Sequence, residues 1–166
     1  MKHIFFYSNT DEYRELSNFW PAPFLLNRKE WPTSEHFYQA MKSEDNSERE
    51  RIRRTRSPGE ALRLGRSVQF LRKDWEQVVI LPTYSWILRP MKELHIKELL
   101  QKDLVMLRAL RAKFWTHNDL AEKLRSTRDA KLHENSRHSH FGYKLGGKDM
   151  LGKLLMIVRD NLLMRK

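Results

Sequence analysis

The sequence predicts a single domain of the α+β class, mostly helical, with a small antiparallel sheet. A short apolar and aromatic run opens the chain, a hairpin pattern follows at residues 24–31, and from residue 34 onward apolar residues recur mainly at helical spacing. With 166 residues, 40% hydrophobic and 11% aromatic, the chain can form one packed core and is short for two.

Residues 3–8 suit a first strand, closed by the turn formers Asn9, Thr10 and Asp11. Phe24-Leu25-Leu26 and Trp31 enclose a polar turn of unassigned type. A helix is predicted over residues 34–43, because Thr33 or Ser34 caps its free amides and Glu35 sits at the positive end of its dipole. Residues 48–56 form a basic helix stopped by Ser57-Pro58-Gly59, and residues 60–64 a second ended by Gly65. Residues 72–79 read as helical, and Pro82 and Pro90 bracket residues 83–89 as a loop. Leu94, Leu99, Leu100, Leu104, Leu107, Leu110 and Phe114 then predict one long helix or two stacked end to end. Residues 120–124 form a short helix, 135–149 a polar glycine-rich loop and 151–163 a closing amphipathic helix.

Composition removes whole classes of chemistry. The absence of cysteine excludes disulfides, thiolate catalysis, iron–sulfur clusters and cysteine-based zinc sites. No run reaches the roughly 20 apolar residues of a membrane span, and the start lacks a secretory signal, which predicts a cytoplasmic protein with no membrane partner. The net charge of +11 is concentrated. Residues 49–73 carry nine basic side chains against Glu50 and Glu60, and residues 137–166 carry seven against Asp149 and Asp160. Phosphate is the partner such patches favour, and a solvated basic face is the alternative.

Chemistry-bearing residues gather in Trp31-Pro-Thr-Ser-Glu-His-Phe-Tyr-Gln-Ala-Met-Lys42. On a helix Glu35, Gln39 and Lys42 line one face, and Glu35 and Lys42 stand two turns apart, about 10.5 Å along the axis, too far for a direct ion pair. They can contact two ends of one substrate, with Gln39 between, or belong to an ordinary amphipathic helix. Asn18, Phe19 and Trp20 beside prolines form a stiff loop suited to stacking a ring and bonding its edge, or to the core. Gly142, Gly146 and Gly147 precede a helix, where backbone amides with Lys144 and Lys148 suit a phosphate. His133, His138 and His140 match no metal-ligand spacing, and neither metal nor cofactor is assigned.

Phe6-Tyr7-Ser8, Leu16-Ser17-Asn18-Phe19, the Trp31 to Lys42 segment, Ala61-Leu62-Arg63-Leu64-Gly65-Arg66, Arg72-Lys73-Asp74-Trp75, Leu110-Arg-Ala-Lys-Phe114 and Leu151-Gly-Lys-Leu-Leu-Met-Ile-Val-Arg159 together resemble the NADAR (YbiA-like) family, in order and spacing nearly end to end. The resemblance implies a largely helical α+β domain and an N-glycosidase that cuts a ribose C1′–nitrogen bond. Its implied substrates are ADP-ribose on guanine, with ADP-ribosylated DNA or RNA as the larger partner, or phosphoribosylated intermediates of riboflavin synthesis. It further implies Lys42 as a nucleophile that forms a Schiff base, and Glu35 as proton donor, proton acceptor or holder of the ribose hydroxyls. Basic neighbours such as Arg66 or Lys73 would lower the Lys42 pKa.

Within that resemblance, Asn18, Tyr38 and Gln39 are candidates for orienting ribose and base, and Arg66 and Lys73 for the phosphates. Phe19, Trp31 and Trp75, with Phe141, Lys148 and Asp149 of the late motif, complete the candidate binding residues. The family pattern places an acid, a Trp and an Asn where this chain has His138, Phe141 and Asp149, in a loop about two residues shorter. Residues 81–101 are longer than the pattern expects and suit a lid, an oligomer contact or a nucleic-acid arm. Removal of ADP-ribose from a nucleobase is the leading expectation, because a +11 chain suits a polyanion. The alternatives are the riboflavin-pathway glycosidase and a binding module that keeps the pocket without turnover.

Overall fold

The computed structural model describes residues 2–82 and 86–164; of the predicted loop at residues 83–89, Thr83, Tyr84 and Ser85 lie outside the described residues. In chain order the elements are β1 (His3–Phe6), β2 (Phe24–Leu26), β3 (Lys29–Trp31), α1 (Ser34–Ala40), α2 (Asn46–Arg53), α3 (Pro58–Gly65), α4 (Leu88–Glu93), α5 (Gln101–Thr116), α6 (Asn118–Ser126), β4 (Lys131–Glu134) and α7 (Met150–Leu163). Internal contacts gather these into two compact units, Asn18–Val79 with Leu99–Thr116, and Met1–Ser17 with Ile80–Glu98 and His117–Lys166.

In the unit built from Asn18–Val79 and Leu99–Thr116, β2 and β3 pair antiparallel in the register Phe24↔Trp31, Leu25↔Glu30, Leu26↔Lys29. Asn27 and Arg28 both have positive φ (54° and 59°), the two-residue turn whose twist matches that of the flanking strands. The side chain of Thr33 caps α1 by accepting from the His36 amide, and every residue of α1 is buried against neighbours that include α2, α3 and α5. Ser57 caps α3 in the same way, with Pro58 in the first turn where its missing N–H is no loss.

Residues 72–79 are not the predicted helix. The Arg72 amide donates to the Lys42 carbonyl, the Val79 amide to Leu99, and the Gln101 and Lys102 amides to the carbonyls of Gln77 and Trp75. Groups that a helix would satisfy within itself are thus bonded to distant chain.

The other unit pairs β1 with β4 in parallel, His3↔Lys131 through Phe6↔Glu134, so the chain has a two-stranded parallel pair besides the expected antiparallel hairpin. The long apolar stretch is divided in two. Pro90 lies in the first turn of α4, where its ring and absent amide are tolerated, and left-handed His95 (φ 54°) ends that helix before α5 begins. Among the described residues no helix is long and apolar enough to cross a membrane.

Helix α7 packs on β4, and Gly152 sets how closely. A Cβ there would stand 2.8 Å from the Leu132 carbonyl carbon and even closer to its oxygen, backbone that cannot rotate away. Gly152→Ala is expected to destabilise the fold by about 3 kcal/mol, read from the urea midpoint.

Candidate active site

Helix α1 ends at Ala40, two residues before Lys42, and this rearranges the predicted site. Met41 is its C-cap, and residues 42–44 lie against residues 70–72: the Lys42 carbonyl accepts from Arg72, Glu44 donates to the Phe70 carbonyl, and Ser43 bridges Leu71. Lys42 therefore leaves the helix axis, and the 10.5 Å separation expected for one straight helix no longer applies. The charges of Glu35 and Lys42 act on one another, with no ion pair within 4 Å between them among the described residues.

Glu35 is 3% exposed. Its carboxyl accepts a short hydrogen bond from Asn18 Nδ2 and another from Gln39 Nε2 at 2.6 Å. Burial raises its pKa from 4.5 to about 7, against the opposing effects of the Gln39 hydrogen bond, the Lys42 charge, the Asn18 bond and Arg66. Half-buried Lys42 shifts the other way. Burial lowers its pKa below the usual amine value, Glu35 opposes, and the like charges of Arg66 and Lys102 reinforce the fall. A carboxyl held protonated to neutral pH has a proton to give, and an amine eased toward its neutral form has a lone pair to offer.

An aromatic wall adjoins the amine. Lys42 Nζ lies 5.4 Å from the centroid of Tyr38, whose ring packs at 5.1 Å on Trp75. Both rings are buried. Burial also drives the Tyr38 hydroxyl well above its usual pKa, so it stays protonated. Arg66, the exposed C-cap of α3, contributes positive charge to both Glu35 and Lys42.

Six candidates have other surroundings. Trp31 is a core residue rather than an open ring: it is 2% exposed, packs edge-on against Phe37 and donates Nε1–H to the Leu26 carbonyl. Lys73 is exposed, and the cations acting most strongly on Lys42 are Arg66 and Lys102. Lys102, held at 2.5 Å by Glu76, lies 60 residues from Lys42 in sequence, and no local pattern marks it. In the β1–β4 unit, Phe141 is buried between His138 and His140. Asp149 there bonds His133 and the Glu134 amide. Lys148, in the same unit, is exposed, and Phe19 in the α1 unit is half-buried. Among the described residues no group of three His, Asp or Glu is placed to hold a metal.

His36, next to Glu35, is structural. The Thr55 carbonyl can only accept, so Nε2 carries the proton and Nδ1 accepts from the Thr33 hydroxyl. Gly65 positions the second donor to Glu35: a Cβ there would stand 2.7 Å from Gln39 Cβ. Gly65→Ala is expected to push Gln39 off the carboxylate, raise the Glu35 pKa further and cost about 2 kcal/mol of stability. An upward move of the alkaline limb of the pH–rate profile, with a lower melting temperature, checks both effects.

The NADAR domain model matches residues 5–85. A protein named N-glycosidase YbiA from Shigella boydii is 40% identical over 98% of this chain and 90% of its own length. A riboflavin biosynthesis protein of Vibrio vulnificus is 31% identical over 96% of this chain, which spans 38% of that longer protein. The NMR structure of the E. coli protein YbiA is similar at a TM-score of 0.77 and 38% identity, over 98% of this chain and 86% of that one. With this identity over nearly its whole length, the chain belongs to the NADAR family.

Proposed function

We propose that the chain is an N-glycosidase that cleaves the bond between a ribose C1′ and a base nitrogen, with Lys42 as nucleophile and Glu35 as acid. The observation that carries this reading is the opposed titration of two neighbouring groups, an acid raised to about pH 7 and an amine lowered from its usual value. The names of the relatives support the reaction class.

The lone pair of neutral Lys42 Nζ forms a bond to C1′, the C1′–nitrogen bond breaks with its electrons on the base, and the Glu35 proton neutralises the leaving nitrogen. Opening of the sugar ring, with a proton passing from Nζ to the ring oxygen, gives a Schiff base. Water then adds to C1′, giving one proton to the Glu35 carboxylate and the other to Nζ as the C1′–Nζ bond breaks, so that the protonated acid, the neutral amine and the free ribose sugar result. Asn18 and Gln39 hold the carboxyl, Tyr38 and Trp75 wall the amine, and Arg66 faces the substrate phosphate.

ADP-ribose on guanine is the first substrate reading, supported by the net charge of +11. The relative named for riboflavin biosynthesis favours a second, a phosphoribosylated pyrimidine intermediate of that pathway. Both substrates should be offered side by side, with products identified by mass spectrometry. Release of free base from one names the class. Tight binding of ADP-ribose with no product from either substrate replaces the glycosidase by a binding module.

A further inference from the structure

The β1–β4 unit carries an aromatic surface that the chemistry at Lys42 does not use. Strand alternation turns Ile4 and Phe6 into the core and His3 and Phe5 outward. Phe5 is 47% exposed and Tyr143 45%, and the two adjoin rather than being scattered singly. The rings are continuous: His3 on His133 at 5.0 Å and 7°, Phe5 on His133 at 5.0 Å and 25°, Tyr143 on Phe5 at 5.4 Å and on His133 at 4.6 Å.

Polar bonds fix the array from below. As a carboxylate, buried Asp149 can only accept, so His133 Nδ1 carries a proton toward it at 2.6 Å, and His133 Nε2 meets His3 Nδ1 at 2.8 Å. The exposed charges next to the ring-bearing residues in sequence are basic. Lys2 precedes His3, Lys144 follows Tyr143, and Arg137 and Lys148 lie in the same loop; all four are exposed, whereas the two acids of residues 131–149, Glu134 and Asp149, are buried.

We propose that this face binds single-stranded nucleic acid, bases stacking on Phe5, Tyr143 and His3 and phosphates meeting the surrounding cations. Exposed rings supply a π-face that any base can use, and flanking cations track the backbone. On β1 the outward rings of His3 and Phe5 stand 6.4 Å apart, a spacing that suits successive bases of an extended strand better than one free nucleotide. A duplex hides its base faces. The inference does not rest on the reading of Lys42.

The test is a fluorescence anisotropy titration of the intact chain with labelled oligothymidylate of twenty nucleotides, a duplex of equal length and thymidine monophosphate. The single strand should bind most tightly, with affinity falling steeply as salt rises. Phe5→Leu with Tyr143→Leu, which keeps apolar bulk, should weaken single-strand binding by about tenfold or more. Lys144→Ala should flatten the salt slope. Equal affinity for duplex and single strand, or an unaltered affinity in the Leu variant, reduces the face to general electrostatic adhesion and overturns the proposal. Photocrosslinking of 5-iodouridine-substituted strand to the wild-type chain gives a reading independent of variant folding: adducts should map to the peptides holding Phe5 and Tyr143, and adducts confined to other peptides overturn it.

Discussion

Lys42→Ala is expected to abolish turnover, a fall of about 10⁴-fold or more, and with it any covalent adduct trapped by borohydride. Lys42→Arg should be equally inactive, since guanidinium stays protonated and forms no imine. The fold should survive both changes, because the half-buried side chain makes one ring contact, 5.4 Å from the Tyr38 centroid. Removing the amine also removes a cation that burial disfavours, so Lys42→Ala should be at least as stable as the parent at neutral pH. Intact mass after borohydride, beside circular dichroism of the variant, separates loss of the nucleophile from loss of the fold. An adduct of undiminished yield in Lys42→Ala would place the Schiff base elsewhere.

Glu35→Gln should cut the rate by about 10²- to 10⁴-fold while stabilising the protein above neutral pH. The sign follows from the raised pKa. With a native value of about 7 against 4.5, Glu35 favours the folded state fully below pH 4.5, and that contribution is lost as pH rises through 7. Above that, the buried carboxylate costs about 3 kcal/mol relative to acid conditions. A neutral amide carries no such cost, so the variant's stability relative to the parent should rise from pH 4 to pH 8 by up to that amount. Urea midpoints at several pH values measure it. The parent's rate should decline above pH 7 as Glu35 loses its proton, and below its optimum as Lys42 gains one; the variant should lose the alkaline decline.

Local chemistry made much of this legible. Thr33, Ser57 and Pro58 announce their helices by side chains and ring geometry that act within one turn, and the grouping of Glu35, Gln39 and Lys42 needs only a short count of residues. Most of the failures involve partners remote in sequence. Residues 72–79 look helical until Lys42 and Leu99 take their amides. Strand β4 is four residues with two charges, unremarkable until His3–Phe6 lies beside it. Lys102 acts on Lys42 from 60 residues away, its amide bonded to the carbonyl of Trp75 and its amine to Glu76. Pro90 misleads because a helix tolerates proline in its first turn and rejects it one turn later.

The parallel pairing of β1 with β4 also has a consequence during synthesis. His3 leaves the ribosome well ahead of its partner Lys131, by about ten seconds at ordinary elongation rates. Throughout that interval Ile4 and Phe6 have no strand to shelter them, while α1 and its neighbours can already assemble. The nascent β1 segment therefore gains from a chaperone while it waits for β4, and slower translation prolongs its exposure.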